Sequence, residues 1–132
     1  MPKLRVFCAV TNVTSSLTYN WIALCDNNPN NSIPDGEVVG NLTACTLVTG
    51  SGTEVTEGNP IQPAISNLTT TSYDVVQTFT ATAAITILEL QLVKTGVIDT
   101  PPAVANIGAI RDVSVTLAAT DSITITWTVT IT

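Results

Sequence analysis

The chain alternates apolar and polar residues with a period of two over most of its length. In 121–132, DSITITWTVTIT, Ile123, Ile125, Trp127, Val129 and Ile131 alternate with threonines at 124, 126, 128, 130 and 132. Successive side chains of a strand leave on opposite faces, so this segment is a strand with one apolar face and one face of hydroxyls. It is the most β-prone stretch of the sequence. Its place at the C-terminal end points to a structural use, inside its own sheet or as an edge that meets a neighbour. Assembly therefore comes ahead of catalysis among the functional expectations.

The same period recurs upstream. Over 3–10, Leu4, Val6 and Cys8 share one face, and Arg5 and Phe7 the other. After a polar turn at 11–16, the segment LTYNWIAL (17–24) alternates and then becomes wholly apolar at Ile22, Ala23 and Leu24, an end predicted to be buried on both faces. Residues 26–36, DNNPNNSIPDG, are a surface loop, because Asn, Asp, Pro and Gly each favour turn geometry. The stretch 37–49 is strand-like but interrupted by Gly40, and 50–63 is a second long loop. Loops of this length usually carry contacts or function. The longest alternation spans 73–87. Its phase then flips, with Leu88, Leu90 and Leu92 apolar and Glu89 and Gln91 polar. Such a flip marks a bulge or a strand crossing between sheets, and the crossing is the expected reading. A turn at 96–102, a strand at 107–117 and a tight connection at 118–121 precede the last strand. About seven strands without an amphipathic helix predict an all-β, single-domain antiparallel β-sandwich of jelly-roll or Greek-key type, with a closed barrel as the alternative.

Composition narrows the function. A chain of 132 residues is one domain able to bury its own core. With 24 threonines and 11 % charged residues it favours pleated, half-buried surfaces. The net charge is −6, and the four cations Lys3, Arg5, Lys94 and Arg111 are too scattered to neutralise a phosphate backbone, so no nucleic-acid partner is expected. No apolar run reaches membrane-spanning length, and the first apolar stretch is too short for a secretory signal, so no membrane is expected and synthesis in the cytoplasm is. Cys8, Cys25 and Cys45 form no CxxC motif and are odd in number. They are predicted to be buried free thiols, with a Cys8–Cys25 or Cys25–Cys45 bridge as the alternative. Four N-x-S/T sequons, at Asn12, Asn30, Asn41 and Asn67, are attributed to a composition rich in Asn and Thr.

Candidate chemistry is sparse. The chain has no histidine, the commonest general base and zinc ligand. Asp74, Glu89, Asp99 and Asp112 occur singly and read as solvated surface carboxylates, so no enzymatic activity and no cofactor are expected. The first loop offers one weak metal candidate: Asp26, Asn28, Asn30 and Glu37, with Ser32, fall at offsets resembling an EF-hand calcium set. Asn31 stands where the turn glycine belongs, Pro34 lies inside, and the flanks are strands, so Asx turns account for the composition without an ion. Trp21 and Trp127 are in phase with aliphatic residues and belong to the core rather than to a sugar-stacking platform. The threonine faces 78/80/82 and 124/126/128/130 read as solvated strand faces. Where such a face lacks blocking charges, it also suits ordered assembly.

Three segments in order, YNWIAL, then YDVVQTFTATAAITILELQLVKTG, then AATDSITITWTVTIT, resemble small virion proteins of tailed bacteriophages and prophages, in which "YIAL-G-T-G" is followed by "ATFTA-AAITE-GLF" and a terminal "GDSLTITWTITI". The resemblance covers 19–26 and 73–132. Cys25 and Asp26 replace its Gly-Thr, Leu90 and Gln91 stand where Gly-Leu is usual, and 27–63 has no counterpart. It implies a virion structural role, foremost a head decoration or cement protein that binds the outer capsid and stabilises it. The alternatives are a tail, neck or fibre-base component, and a carbohydrate- or receptor-binding module. The implied partners are the major capsid protein or other virion proteins and sibling copies in a homo-oligomer; the implied location is the virion, after synthesis in the host bacterial cytoplasm. The resemblance transfers no catalytic residue. The expected contacts are Lys3 and Arg5, Asn30 and Asp35 of the first loop, and Glu54 and Glu57 of the second.

Overall fold

The computed structural model describes residues 3–36, 38 and 42–132. Its strands are β1 (Lys3–Val13), β2 (Trp21–Cys25), β3 (Ile65–Ser66), β4 (Ser72–Thr80), β5 (Ile85–Val93), β6 (Ile107–Leu117) and β7 (Ser122–Ile131), with a 3-10 turn at Val104–Asn106. They make two sheets, ordered β1-β7-β4-β3 and β2-β5-β6, packed face to face as the all-β sandwich the alternation predicts.

β7 lies inside its sheet. It pairs in parallel with β1, Cys8 opposite Trp127, and antiparallel with β4, Val75 opposite Trp127. The parallel pair corrects the expectation of a wholly antiparallel sandwich. β1 and β7 come from opposite ends of the chain, so no hairpin dictates their direction. Ile123, Ile125, Trp127 and Val129 are fully buried beside Tyr73, Val75 and Phe79, and the other sheet supplies Ile22, Leu24, Ile87, Leu90 and Leu92 to the same core. Each such side chain contributes about 1.5–3 kcal/mol relative to leaving it exposed, so a charge at Ile125 would break this layer. The Tyr73 hydroxyl donates to the Tyr19 carbonyl at 2.9 Å, which satisfies the one polar atom that this ring brings inside.

The phase flip near residue 88 has a different cause from the one expected. The chain does cross between sheets, but earlier, in the connection 81–84 between β4 and β5. The flip itself is a bulge in β5 between Ile87 and Glu89, after which Leu90 and Leu92 face the core in the opposite phase from Ile85 and Ile87. The apolar end of β2 is buried throughout, as predicted, but the strand begins only at Trp21 because Leu17 takes a positive φ of 62° in the preceding turn. In 37–49 the described residues contribute a single bridge, Cys25 to Leu47; the interruption at Gly40 lies outside the described residues.

The segment between β2 and β3 closes the sandwich at its sides. Ile22 and Ile61 exchange backbone hydrogen bonds of 2.9 and 3.0 Å, and Val48 N–H donates to Leu24 O at 3.1 Å. Between them the buried Asn59 amide imitates a paired strand: its Oδ1 accepts from Leu24 N–H at 2.8 Å, and its Nδ2 donates to Leu24 O at 2.8 Å and Val48 O at 2.7 Å. Across the fold, Gly36 straps β1 to β6. Its carbonyl accepts from Thr11 N–H at 3.2 Å, and its N–H donates to Ile110 O at 3.1 Å. Gly36 has φ +75°, and a Cβ there would run into the Ala9 carbonyl, so both conformation and space demand glycine.

Candidate functional site

The outward face of the β1-β7-β4 sheet is built by strand register. Arg5 lies beside Thr124 and Thr78, Phe7 beside Thr126 and Val76, and Ala9 beside Thr128 and Asp74. Phe7 is 66 % exposed, far more than a side chain of its size needs to be, and sits midway along β1, the edge strand of this sheet. Thr78 and Thr124 bond to each other through their hydroxyls at 2.8 Å. The face is therefore rich in hydroxyls and methyls, with Lys3 and Arg5 at one corner and Asp74 at another. The Asp74 carboxylate accepts from Asn67 Nδ2 at 2.7 Å.

Beneath the loop that follows β2 lies a sealed polar cluster. Glu89, expected to be a solvated carboxylate, is fully buried, a correction that follows from the bulge: Glu89 and Gln91 face away from the core but are roofed by the incoming loop. Glu89 accepts from Asn30 N–H at 3.2 Å, Asn30 Nδ2 at 3.1 Å and Gln91 Nε2 at 2.8 Å. Asn30 Oδ1 accepts from Thr43 N–H at 2.7 Å, and Asn30 Nδ2 also donates to Thr43 O at 2.8 Å. Burial pushes the Glu89 carboxyl above the usual range; the bonds from Gln91 and Asn30 oppose this and the charge of Asp112, its cross-strand neighbour, adds to it. Asp112 is raised too, by burial and then by Asp35. Gln91 Oε1 and Asp112 Oδ1 are buried without a hydrogen-bond partner.

This cluster redefines several predicted site residues. Asn30 is 2 % exposed with its amide committed to Glu89 and Thr43, so it is neither a presented calcium ligand nor a partner contact. Asp26 and Asn28 are exposed, and Glu37 lies outside the described residues. Lys3, Arg5 and Asp35 are exposed, although Asp35 Oδ1 also accepts from Asp112 N–H at 3.2 Å. Glu54 and Glu57 are half-buried loop staples, accepting from Thr49 N–H at 2.6 Å and Thr80 N–H at 2.8 Å. Trp127 is in the core as predicted, whereas Trp21 is only half-buried.

Two of the three cysteines are bonded, which corrects the expectation of free thiols: Cys25 and Cys45 form a disulfide across 20 residues, brought together where 45–48 returns along β2. Both sulfurs and the Glu89 carboxylate lie within 4.8 Å of one another, yet the sulfurs are joined and Glu89 already accepts three hydrogen bonds, so the group has no free donor set for a metal. Cys8 is free and buried, its thiol pushed up to about 12 by burial. A second exposed apolar area is the loop after β5, where Val97, Ile98 and Val104 are exposed and Val97 lines an open groove of about 220 Å³ with Pro101 and Pro102. Fold and surface together define an all-β sandwich with a sealed interior and an exposed, threonine-rich sheet face. The chain matches no protein-family model, no curated protein and no solved structure.

Proposed function

We propose that this protein is a structural component of a bacteriophage particle, foremost a head decoration protein that binds the outer capsid and siblings of its own kind. The observation that carries the reading is the outward face of β1-β7-β4, a threonine-rich surface charged only towards its corners, with Phe7 exposed on its edge strand, the kind of area an assembling protein keeps for a partner. The ordered resemblance of 19–26 and 73–132 to phage virion proteins is what favours a phage particle over another assembly. The mechanism is mechanical: a disulfide-pinned sandwich adds interface area between capsid subunits and so resists outward pressure. The disulfide suits a protein that works outside a reducing cytosol, as a released virion does. A sugar-binding module fits less well, because Trp127 is wholly buried and Trp21 is half-buried, so neither ring presents an open face. The test is co-sedimentation with phage particles that lack the protein. Saturable binding to heads, in copies comparable to the capsid subunits, is the expected result. A few copies per particle, or binding to tails alone, moves the protein to the neck or tail, and no binding overturns the reading.

A further inference from the structure

We infer that the face of β1-β7-β4 joins a second copy of this chain in a twofold dimer that pairs Arg5 of each copy with Asp74 of the other. Arg5 lies one strand to one side of Thr126 and two residues along; Asp74 lies one strand to the other side and two residues along in the opposite sense. At strand spacings of about 4.8 Å and a rise of about 3.3 Å per residue, both lie roughly 8 Å from Thr126, at opposite corners. A twofold axis in the plane of the interface, passing over Thr126 and perpendicular to that diagonal, lays each Arg5 on the other copy's Asp74. The same operation sets each Phe7 ring over the methyls of Thr126 and Thr128, which covers the most exposed large apolar side chain among the described residues. An isologous contact needs a self-complementary patch of this kind.

The alternative of adding strands edge to edge is obstructed. β7 has both edges paired, β3 has two residues, β2 is flanked by Asn59 and Ile61, β1 is held at Phe7 by Arg111 and at Thr11 by Gly36, and β6 is held at Ile110 by Gly36 and at Asp112 by Asp35. The face itself sets the strength. Three to four strands of about nine residues offer at most about 1,000 Å² for both copies, the lower bound of specific interfaces, so the dimer is weak and concentration-dependent. It rests on the reading of this face as an assembly surface, and names one occupant for it.

Sedimentation velocity from about 5 to 500 µM tests the pairing with wild type, Arg5→Glu, Asp74→Arg and the double charge exchange, with Phe7→Ser as a variant that leaves the charges alone. Expected are a wild-type dimer with a dissociation constant in the micromolar range, weakened at least about tenfold by either single exchange and by Phe7→Ser, and restored to within a few-fold by the double exchange. A wild type that stays monomeric, single variants that dimerise like wild type, or a double exchange no better than the singles would each overturn the inference. Particle binding by a strictly monomeric chain removes the dimer and leaves the virion reading standing; a dimer that binds no particle does the reverse.

Discussion

Glu89 is the buried acid on which the cover over β5 depends, and replacing it with alanine has a cost that the hydrogen bonds define. Asn30 N–H loses its acceptor outright, whereas Asn30 Nδ2 and Gln91 Nε2 each keep a bond to Thr43 O at 2.8 and 3.2 Å. One orphaned buried N–H costs about 1–3 kcal/mol and each lost charge-assisted bond roughly 1 kcal/mol more, offset in part by removing an acid that resists ionisation. The net loss is about 2–4 kcal/mol. With an unfolding entropy near 2.1 cal/mol/K per residue, 1 kcal/mol lowers the melting temperature of a chain this long by about 3–4 °C, so calorimetry at pH 7 should show a fall of about 7–14 °C. A fall below about 2 °C would refute the network. Glu89→Gln isolates the charge. The folded carboxyl binds its proton more tightly than the unfolded one, because burial and Asp112 raise it against the opposing bonds from Gln91 and Asn30. That contribution is complete below the unfolded value and fades as pH rises through the folded one. Wild type should therefore gain stability relative to Glu89→Gln as pH falls from 7 towards 4.5, and the reverse trend would sink the buried-acid account.

Three further outcomes follow from burial and covalent structure. Reducing the Cys25–Cys45 bridge frees a loop of 20 residues and should cost about 3 kcal/mol by the chain-entropy estimate, seen as a melting point roughly 10 °C lower with a phosphine reductant; no change would mean the thiols are not joined. Cys8, buried and pushed up to about 12, should resist a thiol-labelling reagent at pH 8 in the native state and react on unfolding in urea, so rapid native labelling would contradict its placement. Acrylamide should quench the half-buried Trp21 in a Trp127→Phe variant and leave Trp127 nearly untouched in a Trp21→Phe variant; equal quenching in both would place Trp127 outside the core.

How legible each part was depends on how far its cause lies from the residues themselves. β7 could be read directly, because ten residues of period two leave one solution for which face is buried, whereas β6 could be read as a strand but not for its faces, since only 113–117 alternates and 107–110 is buried throughout. The β5 bulge was visible as a phase flip but not as a bulge: one displaced residue gives the same pattern whether a strand bends in place or changes sheet. β3 was invisible, since two residues carry no period. Glu89 was misread for a physical reason. An acid between Leu88 and Leu90 looks solvent-facing when each strand is assumed to have one wet side, and only the packing of Asn30 and Thr43 over that side makes it interior. The one sequence signal was the length and Asx content of the loop, which promised a surface loop and concealed Asn30 as its anchor.

The candidate surface was half legible in the same way. The sequence places Phe7 and the threonines of β7 on polar faces, but their meeting on one face depends on the parallel pairing of β1 with β7, a contact between distant parts of the chain that no local pattern encodes. That pairing changes what the terminal strand can do. A β-prone segment at the end of a chain suggests an edge awaiting a partner, yet between β1 and β4 its backbone donors and acceptors are spent within its own sheet. Its contribution to assembly must then come from side chains rather than from backbone pairing. Threonine suits that role, because its methyl can be buried while its hydroxyl bonds a neighbour, as Thr78 and Thr124 do within the sheet. Such a face gains little per contact and depends on a few anchors for selectivity, which is why Phe7, Arg5 and Asp74, rather than the threonines around them, are the residues on which the assembly reading stands or falls.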